Sequence, residues 1–445
     1  MDAAANDGWN LVAEACTFAF PLVLCDATAR ATTEKPPADG ASMTNRLLHS
    51  RRLADADTKS VVTPNVDTLY TQAFFDLGDQ AYVLHKPAAD RFFSVEILDA
   101  WTNAAAILGT AGDTEDARTY LLTGPAFAGS VPSDPDLVHV PLPTSRAWMI
   151  ARTVVFGADD YQNVYRLQDA MKLLPYRAFA QSGLERPTPT SDYSSDLAFV
   201  PIRHVTGLSM QEFFDDANAL MAANPPASDD APLLERLRPL GVGPGLAFDA
   251  SLLGEGVEER WRALLGALTA SLLEQTTEYI SRWGVWHVYN RPIAEFGTAY
   301  AYRALIALGG LGANPVSVAV YPKAETDSAG EQLDGAHAYR IHFDAASLEP
   351  AGPHGFWSIT AYGEDNFLID NELDRYAVND RSGAVPNDDG SLDILVQAAR
   401  PQDERLLPNW LPVRDEPFHV HLRIYLPTAD VLAGTWKAPR IERLD

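Results

Sequence analysis

The chain is 445 residues long, with 47% hydrophobic, 21% charged and 10% aromatic residues, an ordinary globular composition. At roughly 150 residues per domain it holds two or three domains. Lys+Arg of 34 against Asp+Glu of 60 gives a net charge of −26, which repels phosphate backbones and anionic lipid and argues against nucleic acid or a membrane as partner. A neutral or weakly charged small molecule fits such a surface better. Cys16 and Cys25 are the only cysteines, too few for a disulfide framework or a thiolate metal site, and they read as small buried hydrophobes in a reducing compartment.

The apolar run Leu11 to Leu24 could pass for a signal peptide, but Asp2, Asp7 and Glu14 stand where a basic region belongs. It reads as an amphipathic helix kinked near Pro21, in a cytoplasmic protein without a membrane span. Thr32 to Met43 is a polar loop. From Val61 to Phe156 the chain breaks into β-rich runs, Thr68 to Leu77, Ala81 to His85, Phe92 to Leu98, Tyr120 to Leu122 and Ala147 to Phe156, separated by turn clusters such as Gly78-Asp79 and Gly124-Pro125. Helical spacing takes over at Asp159 to Leu174, then at Ser209 to Ala223, Leu233 to Leu240, Glu258 to Trp283 and Phe296 to Leu311. Short strands return at Val316 to Tyr321, Ala338 to Phe343, Phe356 to Tyr362, Leu392 to Gln397 and His419 to Leu426. The expected class is α+β: an N-terminal antiparallel β-rich domain over 1–158, a helical middle over 159–312, and a jelly-roll-like β-sandwich over 313–445.

Common catalytic signatures are missing: the sequence has no G-x-S-x-G, H-E-x-x-H, Walker A or C-x-x-C. Gly309-Gly310-Leu311-Gly312 ends a helix and reads as its stop rather than a dinucleotide loop. Asn387-Asp388-Asp389-Gly390 reads as a hairpin turn, since Val385 and Val396 stand where a calcium loop needs acids. His419 and His421, two apart on a strand, share a face and could meet one ion with His342 or His85; without a third ligand fixed by spacing, no metal is assigned.

Three places put polar groups inside apolar elements, where an unpaired buried group costs about 1–3 kcal/mol. Thr63-Pro64-Asn65-Val66-Asp67-Thr68-Leu69-Tyr70 leads into a long strand, with Asn65 and Asp67 either in a turn or in a site. Phe93-Ser94-Val95-Glu96-Ile97-Leu98-Asp99-Ala100-Trp101-Thr102-Asn103 puts Phe93, Val95 and Ile97 on one face and Ser94 and Glu96 on the other, then a carboxylate, an indole and an amide at the strand end, the layout of a polar ligand pocket or of a hydrogen-bonded terminus. Arg303 is the only charge from Phe296 to Ala313, and no acid lies on its helix face. It needs a distant carboxylate, with Asp67 and Asp99 as candidates, or a ligand.

Thr63 to Tyr70 and Leu98-Asp99-Ala100-Trp101-Thr102-Asn103 closely resemble the hallmark segments of the domain of unknown function 1254. The C-terminal part resembles its usual partner, the domain of unknown function 1214, through Tyr302-Arg303-Ala304, Phe356-Trp357-Ser358-Ile359-Thr360, Asp370-Asn371, Asp374-Arg375-Tyr376, Asn409-Trp410-Leu411-Pro412 and Gly434-Thr435-Trp436. The resemblance implies the three-part architecture above and no established reaction. His419 and His421 depart from the small polar or apolar residues usual in relatives, and the chain lacks the leader many of them carry.

The expected function is a cofactor-independent hydrolase or lyase acting on a neutral, hydroxylated or sugar-like small molecule near the N-terminal Asn/Asp motifs. Asp67 or Asp99 would serve as acid or base and Arg303 would stabilise developing charge. Asn65, Tyr70, Trp101, Asn103, Tyr300 and Trp357 would bind substrate. The alternative is a non-catalytic carbohydrate or small-ligand binder using Trp357, Trp410, Tyr362 and Tyr376. Two sheet-bearing domains are also compatible with a homo-oligomer.

Overall fold

The computed structural model describes residues 3–35, 40, 42–59, 61–193 and 196–444. Residues 36–39 and 41 of the expected Thr32 to Met43 loop lie outside them. The first helix, α1 (Ala3–Thr33), is followed by β1 (Leu47–His49), β2 (Thr68–Asp76), β3 (Ala81–Lys86), β4 (Phe93–Asp99), β5 (Ala104–Gly109), β6 (Arg118–Thr123), β7 (Leu137–Pro141) and β8 (Arg146–Val154). After α2 (Tyr161–Ala170) the chain forms β9 (Lys172–Pro175), α3 (Tyr176–Ser182) and β10 (Thr190–Asp192). These strands build two sheets, ordered β10-β1-β2-β8-β4-β5 and β7-β6-β3-β9. They face each other across a core containing Ala73, Phe75, Val95, Ile97, Met149 and Ala151 from one and Leu84, Tyr120, Leu122 and Leu173 from the other. The helix expected to reach Leu174 stops at Ala170, because Leu173 and Leu174 complete the second sheet beside β3.

The middle carries α4 (Pro201–Gly207), α5 (Met210–Ala223), α6 (Ala231–Leu237) and α7 (Val257–Glu274), then the hairpin β11 (Ile280–Trp283) and β12 (Trp286–Tyr289), then α8 (Tyr300–Gly310). The long helix expected to run to Trp283 gives way to that hairpin. Its partner is the strand Lys323–Ala324 of the C-terminal sheet, and Trp286 in the hairpin is fully buried with its indole N–H donating to Pro439 O at 2.7 Å. Of the apolar stripe expected on this helix, the side chains of Leu272 and Leu273 lie outside the described residues. Where an amphipathic helix was expected, α1 is buried without a break from Phe18 to Cys25, because α4, α5, α6, α7 and α8 surround it. Its segment Gly8–Thr33 is long and apolar enough to cross a membrane, yet 67% of the apolar window is buried inside the protein, as in a core helix.

The C-terminal part comprises β13 (Ala319–Val320), β14 (Lys323–Ala324), β15 (Tyr339–Phe343), β16 (Ala351–Gly363), β17 (Ala377–Asn379), β18 (Leu392–Gln397), β19 (Trp410–Pro412), β20 (Phe418–Pro427), α9 (Ala429–Leu432) and β21 (Arg440–Arg443). Sheets β11-β12-β14-β20-β16-β17, with β13 also on β20, and β19-β18-β15-β21 form a sandwich. Its core holds Ile359, Val420, Leu422 and Ile424 from the first sheet and Ile341, Ile394, Val396 and Leu411 from the second. The fold is α+β.

What positions the site is the outer face of the first N-terminal sheet. Side chains alternate along a strand, so the residues that turn away from the sandwich core form rows across β2, β8 and β4. Tyr70 pairs with Arg152 and Arg152 with Ser94; in the next row Gln72 pairs with Ile150 and Ile150 with Glu96. At the Ala147 end this face, through Phe74 and Trp148, packs against the helices. At the Val154 end, Phe92 and Val154 pack against Val318, Phe356 and Tyr425 of the C-terminal half. A polar strip is thereby enclosed between the two apolar contacts.

Candidate functional site

The segment from Thr63 to Asp67 lies across the C-terminal sheet and is held by it. Arg423 Nη2 donates to Thr63 O at 2.8 Å and Tyr362 Oη to Pro64 O at 2.7 Å. Asn65 Nδ2 donates to Tyr425 Oη, while its Oδ1 accepts the amides of Asp67 and Thr68 at 2.7 and 3.1 Å. Asn65 thus forms the Asx turn, capping it with one atom and reaching the C-terminal half with the other. Asp67 is 2% exposed. Its Oδ2 accepts from Ser358 at 2.5 Å and its Oδ1 from Arg381 Nη2 and Asn379 Nδ2 at 2.8 and 3.2 Å.

The second segment makes a different structure. Asp99 Oδ1 accepts the amides of Trp101 and Asn103, both at 2.8 Å, and Oδ2 accepts Asn103 Nδ2 at 3.1 Å. Burial pushes the Asp99 carboxyl up against these donors. Asn103 Oδ1 accepts the Phe296 amide at 3.3 Å. Arg303, 3% exposed, sits 5.8 Å from the Trp101 ring and 5.7 Å from the Tyr300 ring, and gives Nη2 to Gly297 O at 2.5 Å. Its Nε and Nη1 are buried without a partner. Burial lowers its pKa, against the attraction of Asp230 and then Asp99; Asp230 itself accepts Tyr300 Oη at 2.9 Å.

Asp99, Trp101, Asn103, Tyr300 and Arg303 therefore meet, whereas Asp67, Asn65 and Tyr70 do not join them. Along β8, Asp67 lies opposite Val155, whose amide donates to its carbonyl, and Asp99 opposite Ala147, so the two aspartates flank opposite ends of one strand, about 26 Å apart along it at roughly 3.3 Å per residue. Asp67 finds Arg381, not Arg303. Trp357 belongs to neither group: it is 3% exposed in the C-terminal core, 4.8 Å from the Phe343 ring, with Nε1 on Leu348 O. Trp410 and Tyr362 are likewise buried, so these aromatics do not form the open surface expected of a carbohydrate binder; Tyr376 alone of the four is half-buried. His419 and His421 stand side by side on β20 with ring centroids 5.3 Å apart. Burial first, then the charge of Lys323, pushes His419 down to about 4, and burial with Arg423 lowers His421 well below the usual range, so both rings are neutral. Among the described residues no three histidines, cysteines or acids gather into a metal-holding group.

Of the residues in the enclosed strip, the sequence points to Tyr70 as a substrate contact and to Ser94 and Glu96 as one polar strand face, and it gives Arg152, Asn314 and Tyr321 no site role. Glu96 is 0% exposed. Its Oε2 accepts Arg152 Nη1 at 2.8 Å, and the same nitrogen donates to Asn314 Oδ1 at 2.7 Å while Nη2 donates to Gly312 O. Asn314 Nδ2 reaches Tyr321 Oη at 2.7 Å, and the Arg152 guanidinium lies 5.6 Å from the Tyr70 ring. Burial pushes Glu96 up to about 7, against the pull of Arg152. Burial opposes the Arg152 charge too, but Glu96, Tyr70 and Tyr321 overcome it and raise its pKa. Glu96 Oε1, Ser94 Oγ and Thr68 Oγ1 are all buried and lack partners, on the one sheet face. Asn65, Tyr70 and Tyr321 beside them are only half-buried, which marks where solvent reaches the strip. The sequence did carry a signal: Arg152 is the one charge inside the run Ala147 to Phe156, the same anomaly that drew attention to Arg303.

Both segments also store backbone strain. Thr63 (φ 45°) and Thr102 (φ 68°) are the only β-branched residues with positive φ among the described residues, a conformation that persists only where neighbours enforce it.

The model of the family described as Protein of unknown function (DUF1254) matches residues 44–175, and that described as Protein of unknown function (DUF1214) matches 318–429. The chain belongs to the two-domain family that pairs them. Both strained threonines lie within the first match and Arg381, Arg423 and Tyr425 within the second. The crystal structure of the VPA0106 protein from Vibrio parahaemolyticus is similar over 98% of this chain and 99% of that one, at 18% identity and a TM-score of 0.71. A putative uncharacterized protein from Burkholderia cenocepacia aligns over 97% of this chain and 89% of its own at 13% identity, with a TM-score of 0.45. No curated protein matches the sequence.

Proposed function

We propose that the chain is an acid–base enzyme of hydrolase or lyase type, acting on a small uncharged hydroxyl- or carbonyl-bearing molecule in the polar strip between its two halves. The observation that carries this reading is Glu96: a fully buried carboxyl that titrates near 7 and keeps one oxygen unpartnered. A group poised at the working pH can both give and take a proton. Asp67 and Asp99, the earlier candidates for that role, have both oxygens engaged by protein donors, so the proton-transfer role falls to Glu96. Arg152 stands beside the bond being broken and stabilises negative charge as it develops in a dry site. Ser94 Oγ and Thr68 Oγ1 supply hydroxyls that a substrate could satisfy, and the half-buried Tyr70 guards the approach. Asp67 and Asn65 act one step removed, fixing the two halves at the distance the strip requires.

The test is turnover of a panel of lactones, neutral esters and hydroxy ketones by the intact chain and by Glu96→Gln. Gln keeps the shape and the bond to Arg152 but has no proton to exchange near neutrality. The variant should stay folded, retain ligand-induced thermal stabilisation and lose turnover at least 100-fold; unchanged turnover would remove Glu96 from the chemistry.

A further inference from the structure

We infer that a second site lies at the other end of the same sheet face, where a pocket between α1 and the Ala147 end of β8 binds a small uncharged molecule built on one aromatic ring or a short aliphatic chain. The pocket has a volume of about 120 Å³. Leu22 and Ala29 of α1 form one wall, Leu220 of α5 another, and Phe74 with Trp148 the wall opposite α1. The last two rings stack on each other at 5.3 Å and 18°, an aromatic pair that gives the pocket an apolar wall for a ligand ring to pack against. For scale, an apolar protein cavity of about 150 Å³ takes a benzene molecule.

The chemistry of the walls selects the ligand. The interior polar groups are already partnered: Trp148 Nε1 donates to Gln72 at 3.0 Å, and Asn224 accepts the Arg146 amide at 2.8 Å while donating to Leu220 O at 3.1 Å. An incoming molecule is thus offered apolar contact, with no buried donor or acceptor waiting for it. The charged lining residues balance, Arg30 and Arg146 against Asp26 and Asp76, and Arg146 is paired to Asp26. No net charge is asked of the ligand, and the overall charge of −26 disfavours anions further. The Cys25 thiol on the wall is pushed up to about 12 by burial, so it packs as a neutral group and is no nucleophile.

The back wall is Ala100, which the turn from Asp99 to Asn103 presents to the pocket. Asp99 Oδ1 clamps the amides on either side of that turn's strained Thr102. The conformational cost at Thr102 thus fixes a surface that a relaxed strand end would not have, which gives the second hallmark segment a task separate from that of Glu96.

The test uses the intact chain, with tryptophan fluorescence and thermal shift read against benzyl alcohol and indole as neutral probes and phenylacetate and benzylamine as charged isosteres. Saturable binding of the neutral probes, at least tenfold tighter than of either charged one, supports the inference; equal affinities, or no saturable binding, overturn it. Ala29→Phe fills the pocket and should weaken the neutral probes at least tenfold, and a folded variant that binds as before would be decisive against. Leu22→Ala supplies an independent arm by enlarging the pocket: preference should move at least fivefold from benzyl alcohol toward 2-naphthol, and no movement counts against the site. None of these readouts depends on turnover, so they fail or succeed apart from the role of Glu96.

Discussion

Glu96 titrates differently in the folded and unfolded chain, and the direction matters. Its ordinary value of 4.5 is raised to about 7 by burial, so between those values the folded chain holds a proton that the unfolded chain has released. Its contribution to stability is fully present below about 4.5 and is lost as pH rises through 7, by up to about 3 kcal/mol. Urea unfolding of the wild type and Glu96→Gln at pH 5 and pH 8 checks this: the wild type should lose stability relative to the variant on going to pH 8, and parallel behaviour would contradict the burial argument. In the sequence, Ser94 and Glu96 stand as a polar face opposite Phe93, Val95 and Ile97. Alternation shows that Ser94 and Glu96 share a face, but not that another half of the chain covers it. Asn65, Asp67, Asp99 and Arg303 were legible as anomalies for the opposite reason, since each interrupts an apolar or regular pattern; which partner each one finds was not, because those partners lie up to hundreds of residues away, as Arg381 does from Asp67.

At the level of elements, the strands of both sandwiches could be read from alternation and turn residues, with Leu392 to Gln397 falling on the same bounds in sequence and structure. Reading failed where a long helical pattern hid a change of partner, at Leu173-Leu174 and at Ile280 to Tyr289. A short apolar run serves a buried strand as well as a helix, and only the open sheet edge beside it decides. The end of α8 shows how tightly elements are fitted together. Gly312 has φ +83°, and a Cβ there would lie 2.8 Å from Ile150 Cδ1 and 3.2 Å from the Trp148 ring. Only glycine lets this turn press on the sheet and hand its carbonyl to Arg152. Gly312→Ala should therefore cost about 1–3 kcal/mol in chemical denaturation and loosen the Arg152–Glu96 pair with it; a stability within 0.5 kcal/mol of wild type (about the scatter of a neutral substitution) would show that the approach can relax.

For the molecule as a whole, the contact between halves joins an apolar patch, where Phe92 and Val154 meet Val318, Phe356 and Tyr425, to a polar one centred on Asp67. Asp67 meets Arg381, Ser358 and Asn379 from the C-terminal half, with Asp67 and Ser358 buried and the other two half-buried. Asp67→Ala leaves Arg381 with Asp380 as its one carboxylate partner and takes the acceptor from Ser358 and Asn379, which should lower stability by about 2–4 kcal/mol. A calorimetric trace in which one transition splits into two would place that loss at the junction, and a single unshifted transition would show the junction does not depend on the ion pair. The three-part plan was legible in the sequence, but the division into separate halves was not physically complete, since the hairpin Ile280 to Tyr289 and the segment Thr63 to Asp67 each find their partners in the C-terminal half.

The turn at Asn65 has a further use. The Asp67 and Thr68 amides are held by Asn65 Oδ1, and the other end of that side chain is tied to Tyr425 across the junction. Their protons can exchange with heavy water only when that arrangement opens. Two deuterium clocks, built into the backbone by one asparagine, thus report how often the halves part company in solution, without any label, substrate or assay.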